Sequence, residues 1–220
     1  MIKNTRNMIE LSERIAFRTS SIILFILLIL TAGCDNNKND LVMNDDIREK
    51  AVVEVIHSRK SVRSFIDRPV SDNDLETLVR AGMAAPTGKN MQPWVFYIIK
   101  DKDLLERLGS ELPTAAMLGS VHSAIMVCGD LTKADTTSYR NYWVMDCSAA
   151  SENILLTAES MGLGACWTAV FPYDSRQSIV RKYITMPQHH VPLNIIPVGY
   201  PAGMESPKDK WDPGNVIIIE

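Results

Sequence analysis

The residues of this chain best suited to chemistry fall between Arg59 and Trp94. The stretch opens RKSVRSF, where Arg59, Lys60 and Arg63 set cations beside the hydroxyls of Ser61 and Ser64. Guanidinium groups give forked, charge-assisted donors and hydroxyls fill remaining acceptor oxygens, so the cluster can hold a phosphate dianion. The stretch closes AAPTGKNMQPW, where Pro86, Thr87, Asn90 and Gln92 frame a turn. Its backbone N–H groups and amide side chains suit the polar edge of a flat heterocycle. Together the two ends point to a phosphorylated ring cofactor held at both ends. The bland alternatives are a solvated helix end, whose cations complement the helix dipole, and a plain helix-to-strand loop. Pro86 and Pro93 stiffen that loop, which lowers the entropy cost of presenting polar groups.

A second basic segment, PKDKW at Pro207–Trp211, puts Lys208 and Lys210 on one face if extended. It is surface charge unless folding carries it to the first cluster. GLGACW at Gly162–Trp167 has two glycines of a dinucleotide fingerprint. It follows a helix pattern and lacks the third glycine, which excludes that fold. His57, His122, His189 and His190 show no ligand spacing, so the sequence assigns no metal. No nucleophile motif is present, and no catalytic acid or base is assigned.

These residues need elements to position them. Periodicity predicts helices over Asp46–Ser58, Ser71–Met83, Asp101–Leu112 and Trp143–Met161, the last capped by Gly162 or Gly164. Ser71 with Asp74, and Asp174 with Gln177, are spaced as capping pairs, the second opening a helix to Tyr183. Strands are expected at Trp94–Ile99, Ala124–Cys128, Cys166–Phe171, Leu193–Val198 and Asn215–Ile219, the last with no hairpin partner. Residues 131–142 are polar and aperiodic, a surface loop. Irregular alternation of helix and strand makes the class α+β with a central sheet.

A length of 220 residues suits one domain with a leader, and a net charge of −3 gives no case for nucleic acid. Lys3, Arg6, Arg14 and Arg18 precede the aliphatic run Ile22–Leu30, which is followed by Thr31-Ala32-Gly33 and Cys34. The run is too short to span a bilayer core of ~30 Å as a helix. The arrangement resembles a bacterial lipoprotein signal, with Cys34 the lipidated first residue of the mature chain; an ordinary signal peptide is the alternative. Charge asymmetry about the run places the body outside the cytoplasm, in the cell envelope facing the periplasm or exterior. The expected organisation is signal peptide 1–33, lipidated tether 34–45 and a domain over 46–220. Cys128, Cys147 and Cys166 form no zinc spacing, and their spacing argues for no particular disulfide.

From Asp46 onward the chain resembles the nitroreductase family of FMN-dependent oxidoreductases. RKSVRSF, APTGKNMQPW, GLGACWTAVF and GYP…PKDKWDP stand in that family's order. The resemblance implies a mainly antiparallel sheet flanked by helices, an obligate homodimer with two FMN at the interface, and a C-terminal strand exchanged with the partner. It implies that Arg59, Lys60, Ser61 and Arg63 bind the FMN phosphate and ribityl chain, with Lys208 and Lys210 closing on the same phosphate. Trp167, Thr168 and Ala169 would face the ring, and Pro86, Thr87, Asn90 and Gln92 would reach the partner subunit's flavin. The implied activity is ping-pong reduction of nitroaromatic, quinone or similar electron-poor acceptors by NADH or NADPH. Because hydride chemistry belongs to the flavin, no catalytic acid or base is required. An exported protein would need another donor, such as a membrane quinol. The alternatives are a non-catalytic flavin-binding carrier or sensor of the envelope, and a structural lipoprotein.

Overall fold

The computed structural model describes residues 51–134, 142–203 and 205–220. Cys34, the leader and the tether lie outside these residues, as do residues 46–50 of the first expected helix and most of the 131–142 loop. Contacts separate Met1–Val53 from a unit spanning Glu54–Glu220. Among the described residues no helix is long and apolar enough to cross a membrane.

The larger unit is built on five antiparallel strands. They are β1 (Trp94–Ile99), β2 (Ser123–Asp130), β3 (Gly164–Ala165), β4 (Thr168–Ala169) and β5 (His190–Gly199). The order is β1-β2-β5-β3, with β4 on the same side of β5 as β3. Among the described residues, helices α1 (Asp72–Met83), α2 (Lys102–Glu111), α3 (Tyr142–Ser160) and α4 (Asp174–Tyr183) flank the sheet. The α+β class and antiparallel sheet expected from the sequence are what the chain adopts.

Every residue of β2 is buried, so its alternation divides two cores. Ile125 and Val127 face a cluster with Leu75, Leu78, Trp143 and Ile154, from α1 and α3. Ala124, Met126 and Cys128 face Leu105, Leu108 and Val180, from α2 and α4. Local chemistry sets the helix ends. Ser71 accepts the Asp74 N–H at 3.1 Å to open α1, and Asp101 accepts the Leu104 N–H at 3.1 Å to open α2. At the end of α3, Gly162 has φ +69°. Its N–H donates to Glu159 O at 3.0 Å, and that of Leu163 donates to Ala158 O at 2.8 Å. This paired closure explains the first glycine of GLGACW without a nucleotide.

Three expectations are corrected. Cys166–Phe171 is not one strand: β3 and β4 are separate two-residue pieces on β5. Continuing the register sets Pro197 opposite the gap at Cys166, and proline has no N–H to give the ladder. A bulge also lies in the β2–β5 register, where Val127 pairs Asn194 and Cys128 pairs Pro192. The skipped Leu193 turns its carbonyl to the N–H groups of Val170 and Phe171. Second, Asp174 does not cap α4; Tyr173 is the N-cap and makes no side-chain cap bond. Asp174 sits one position later, where its charge still favours the helix N-terminus. Third, Asn215–Ile219 is not a strand: Asn215 closes a short 3-10 turn, and the chain beyond it is exposed. A strand needs a ladder partner, and none of the described elements offers one.

Cys128, Cys147 and Cys166 are free and buried. Burial pushes the Cys147 thiol up to about 12 and raises Cys128 further still. Alkylation at pH 8 followed by peptide mass spectrometry should leave all three unmodified in folded protein and modify them after unfolding; labelling of Cys128 or Cys147 in the native state would refute this packing. A Cβ at Gly129 would lie 2.3 Å from Trp143 Cε3. Gly129→Ala should therefore lose about 1–3 kcal/mol in urea unfolding; an unchanged midpoint would contradict the close approach.

Candidate functional site

Arg59 N–H donates to Val55 O at 3.0 Å, closing the helical residues before it. The chain then extends, and Val62 N–H donates to Ala165 O at 3.0 Å beside β3. Val62 is wholly buried, and a Cβ on Gly164 would lie 2.6 Å from its Cγ1. Only glycine at 164 lets the segment lie this close. The anchor buries one apolar residue in the middle of RKSVRSF and leaves the polar residues on either side at the surface.

The next residues tie the segment to the C-terminal region. Phe65 bridges Pro201, Ile66 N–H donates to Tyr200 O at 2.9 Å, and Ala202 N–H donates to Ser64 O at 2.8 Å. Glu205 Oε1 then accepts the N–H groups of Arg63 at 3.1 Å and Ser64 at 3.3 Å. The Arg63 N–H is the leading cause holding the Glu205 carboxyl below its usual range. These bonds bring PKDKW to RKSVR. Arg59, Lys60, Ser61, Arg63, Lys208 and Lys210 line one open cleft of about 1010 Å³ with Glu205, Ser206 and Trp211.

Acidic residues of α3 hold two of the cations. Arg59 Nε lies 3.1 Å from Glu152, and Lys60 Nζ lies 2.9 Å from Glu159. Arg63 Nη1 donates to Ser61 O at 3.3 Å. Glu205 Oε2 is buried without a hydrogen-bond partner, an open acceptor on a residue that lines the cleft.

Trp167, Thr168 and Ala169 begin one residue past β3, whose Ala165 bonds Val62. Thr168 is buried, and its hydroxyl donates to Ile195 O. Beside it, burial raises the Cys166 thiol against the opposing influence of Arg63, Ser61 and Arg59. Trp167, Thr168 and Ala169 do not line the cleft, and neither do Pro86, Thr87, Asn90 and Gln92. The loop of these last four is held by its own groups and by α3: Thr87 Oγ1 accepts the Gln92 N–H at 3.2 Å, Asn90 Oδ1 accepts Gln92 Nε2 at 3.0 Å, and Asp146 of α3 accepts the Gly88 N–H at 2.9 Å. Lys89, Asn90 and Gln92 have φ of 52°, 56° and 49°. Such left-handed non-glycine backbone is costly and collects at functional sites.

Sequence reasoning missed Glu205, Ser206 and Trp211 as cleft residues. Their signal was adjacency to PKDKW, which carries no weight until the segment is placed. Among the histidines, His57 lines the cleft and His122 Nε2 lies 2.6 Å from Asp67. His189 and His190 meet Asp130 at the far end of β5.

An antiparallel sheet between helix layers, with a two-segment basic cleft beside a glycine-anchored strand end, defines a recognisable class. A profile of the nitroreductase family matches residues 56–114 and 110–200. A Methanothermobacter thermautotrophicus protein, provisionally named NADH dehydrogenase/NAD(P)H nitroreductase, is 36% identical over 167 residues, covering 76% of this chain and 86% of its own. A Parabacteroides distasonis crystal structure of the same provisional name is 49% identical, with a TM-score of 0.72 over 76% of this chain and 96% of that one. A provisionally named nitroreductase from Desulfovibrio desulfuricans, solved in complex with FMN, shares the fold at 23% identity and a TM-score of 0.67. It covers 77% of this chain and 96% of its own. The chain belongs to the nitroreductase family.

Glu205→Ala should speed amide exchange at Arg63 and Ser64 by about tenfold or more, since it removes a charge-assisted acceptor. The Val62 amide, bonded to Ala165, should be unaffected in the same NMR exchange series. Equal rates at Arg63 and Ser64 in both proteins would show that Glu205 does not fasten the two segments.

Proposed function

We propose that this chain is an FMN-dependent oxidoreductase that works as a homodimer and is held in the cell envelope by a lipid on Cys34. The observation that carries the FMN reading is the meeting of RKSVR and PKDKW in one cleft. Glu205 and Arg63, which join them, are 142 residues apart. The donor set fits a flavin mononucleotide. Arg59 and Arg63 offer forks, and Lys60, Lys208 and Lys210 offer point charges to a phosphate dianion. Glu205 Oε2 is an acceptor that a hydroxyl of a ribityl chain could complete. The Arg59 and Lys60 pairs with α3 are partly exposed, a class worth about 0–1 kcal/mol, so a dianion can compete for these cations.

In this reading Arg59, Lys60, Ser61, Arg63, Lys208 and Lys210 bind and orient the phosphate end. Trp167, Thr168 and Ala169 wall the ring and exclude water. FMN, when bound, supplies the hydride chemistry. The chain supplies position and charge.

The dimer reading rests on two features. Pro86, Thr87, Asn90 and Gln92 form a strained, self-bonded loop away from the cleft of their own chain, as suits a contribution to the partner's flavin. Ile217, Ile218 and Ile219 are 86%, 80% and 92% exposed. A run of aliphatic residues so exposed marks an interaction surface, and exchange onto the partner would cover it.

The relatives' names point to NADH or NADPH as donor; in our reading nitroaromatic, quinone or similar electron-poor acceptors follow in ping-pong order. Lipid anchoring outside the cytoplasm makes a membrane quinol the competing donor. Purified protein should be yellow. Arg59→Ala should weaken FMN binding by about 1.5–3 kcal/mol, the scale of a hydrogen bond to a charged group, in a flavin-fluorescence titration. An unchanged dissociation constant would remove Arg59 from the site. Anaerobic stopped-flow mixing with NADH, NADPH and a reduced quinone should bleach the flavin with at least one donor. Bleaching by none would favour a carrier role. Cys34→Ala should release the protein from membranes, and retention would refute the anchor.

A further inference from the structure

The end of β5 away from the cleft carries a second cluster. The β2–β5 register sets Asp130 opposite His190, and Leu131 N–H donates to His189 O at 2.9 Å. The two imidazole rings stand perpendicular, with centroids 4.7 Å apart. One ligand-type atom from each of Asp130, His189 and His190 lies within 4.8 Å of the other two. We propose that Asp130, His189 and His190 form a binding site for a first-row divalent cation of the zinc type.

Two of the three donors are already held in place. Thr132 N–H and Oγ1 donate to Asp130 Oδ1 at 3.0 and 2.6 Å, which fixes the carboxylate and leaves Oδ2 without a bond from Thr132. Lys133 Nζ now lies 3.4 Å from that Oδ2, so the site attracts positive charge. Tyr97 OH meets His190 Nδ1 at 2.6 Å, which leaves Nε2 for a metal. A partner on the outer imidazole nitrogen is the usual support of a ligating histidine. The loop beneath is braced by Arg181. Its Nη2 donates to His190 O at 2.6 Å and Gln188 O at 3.3 Å, and its Nη1 donates to Pro187 O at 3.4 Å.

Metal–ligand bonds of about 2.0–2.2 Å put ligand atoms roughly 3.0–3.5 Å apart, so the site closes by about an ångström on binding. His189, at 45% side-chain exposure and 3.9 Å from Asp130 Oδ1, is the ring free to swing inward. Two imidazoles with one carboxylate favour zinc, nickel or copper over magnesium and calcium, which prefer all-oxygen shells. Three protein ligands leave a position for water. His190 and Gly199 stand nine steps apart along β5, about 30 Å at ~3.3 Å per residue. The cation therefore sits apart from the basic cleft, and the proposal does not depend on the flavin.

The test uses full-chain protein without a polyhistidine tag, stripped with EDTA and titrated with Zn²⁺ by calorimetry, and with Co²⁺ by visible absorbance. Wild type should take up one ion with a dissociation constant of about 1 µM or tighter, unaffected by millimolar Mg²⁺. His189→Gln changes a half-exposed side chain and should weaken binding at least about tenfold. Lys133→Gln removes the competing cation and should tighten it. FMN content should be the same in all three proteins. Zinc binding that is equal in wild type and His189→Gln, or a wild type that binds none, would overturn the site.

Discussion

The functional architecture depends on one backbone hydrogen bond, from Val62 N–H to Ala165 O. Val62 sits wholly buried against Gly164, so the bond is dry and its neighbours are fixed. A side chain at 164 would lift the basic segment off the sheet. Once Val62 is seated, Ser61 and Arg63 necessarily turn outward, because successive residues of an extended chain point oppositely. Ser64 to Ile66 can then pair with 200–202, and that pairing carries the C-terminal lysines to the same cleft. The arrangement of positive charge thus follows from a contact between two residues that carry none.

The sheet supplies the rigid ground for that contact. β5 is its centre, paired with β2 along one side and with β3 and β4 along the other. Two prolines in such a strand would ordinarily argue against a central place. Here each marks an irregularity that the fold uses. Pro192 adjoins the bulge that frees the Leu193 carbonyl for Val170 and Phe171. Pro197 stands opposite the break that separates β3 from β4. The break leaves Cys166 and Trp167 outside the ladder.

How much of this could be read from the chain depends on how local the signal is. Ser71, Asp101 and Gly162 act on N–H and carbonyl groups within a few residues, and the helices they bound fall where periodicity puts them. β1, β2 and β5 are apolar runs long enough to be seen alone, though β2 and β5 extend past their apolar centres. The division of Cys166–Phe171 was not legible, because its cause lies across the sheet at Pro197. Asn215–Ile219 has the composition of a strand, but composition cannot supply a ladder partner. RKSVR and PKDKW were visible as two charge clusters, whereas Glu205, the residue that fastens them, is an ordinary acid until its acceptor role is placed. Asp130 and the histidine pair share nothing in sequence; only strand register joins them.

The cleft also has a place in time. Its walls are closed by contacts between residues far apart in the chain: Lys60 with Glu159 across 99 positions, and Arg63 with Glu205 across 142. Contacts of such span form only after the loop entropy between them has been overcome, and chains that rely on them fold slowly. The helices and the β1–β2 pair can form from nearer neighbours. The basic cleft is therefore among the last parts of the fold to exist, so any ligand held there would reward a finished sheet and would not template it. Loss of sheet order would release such a ligand before the helices melt.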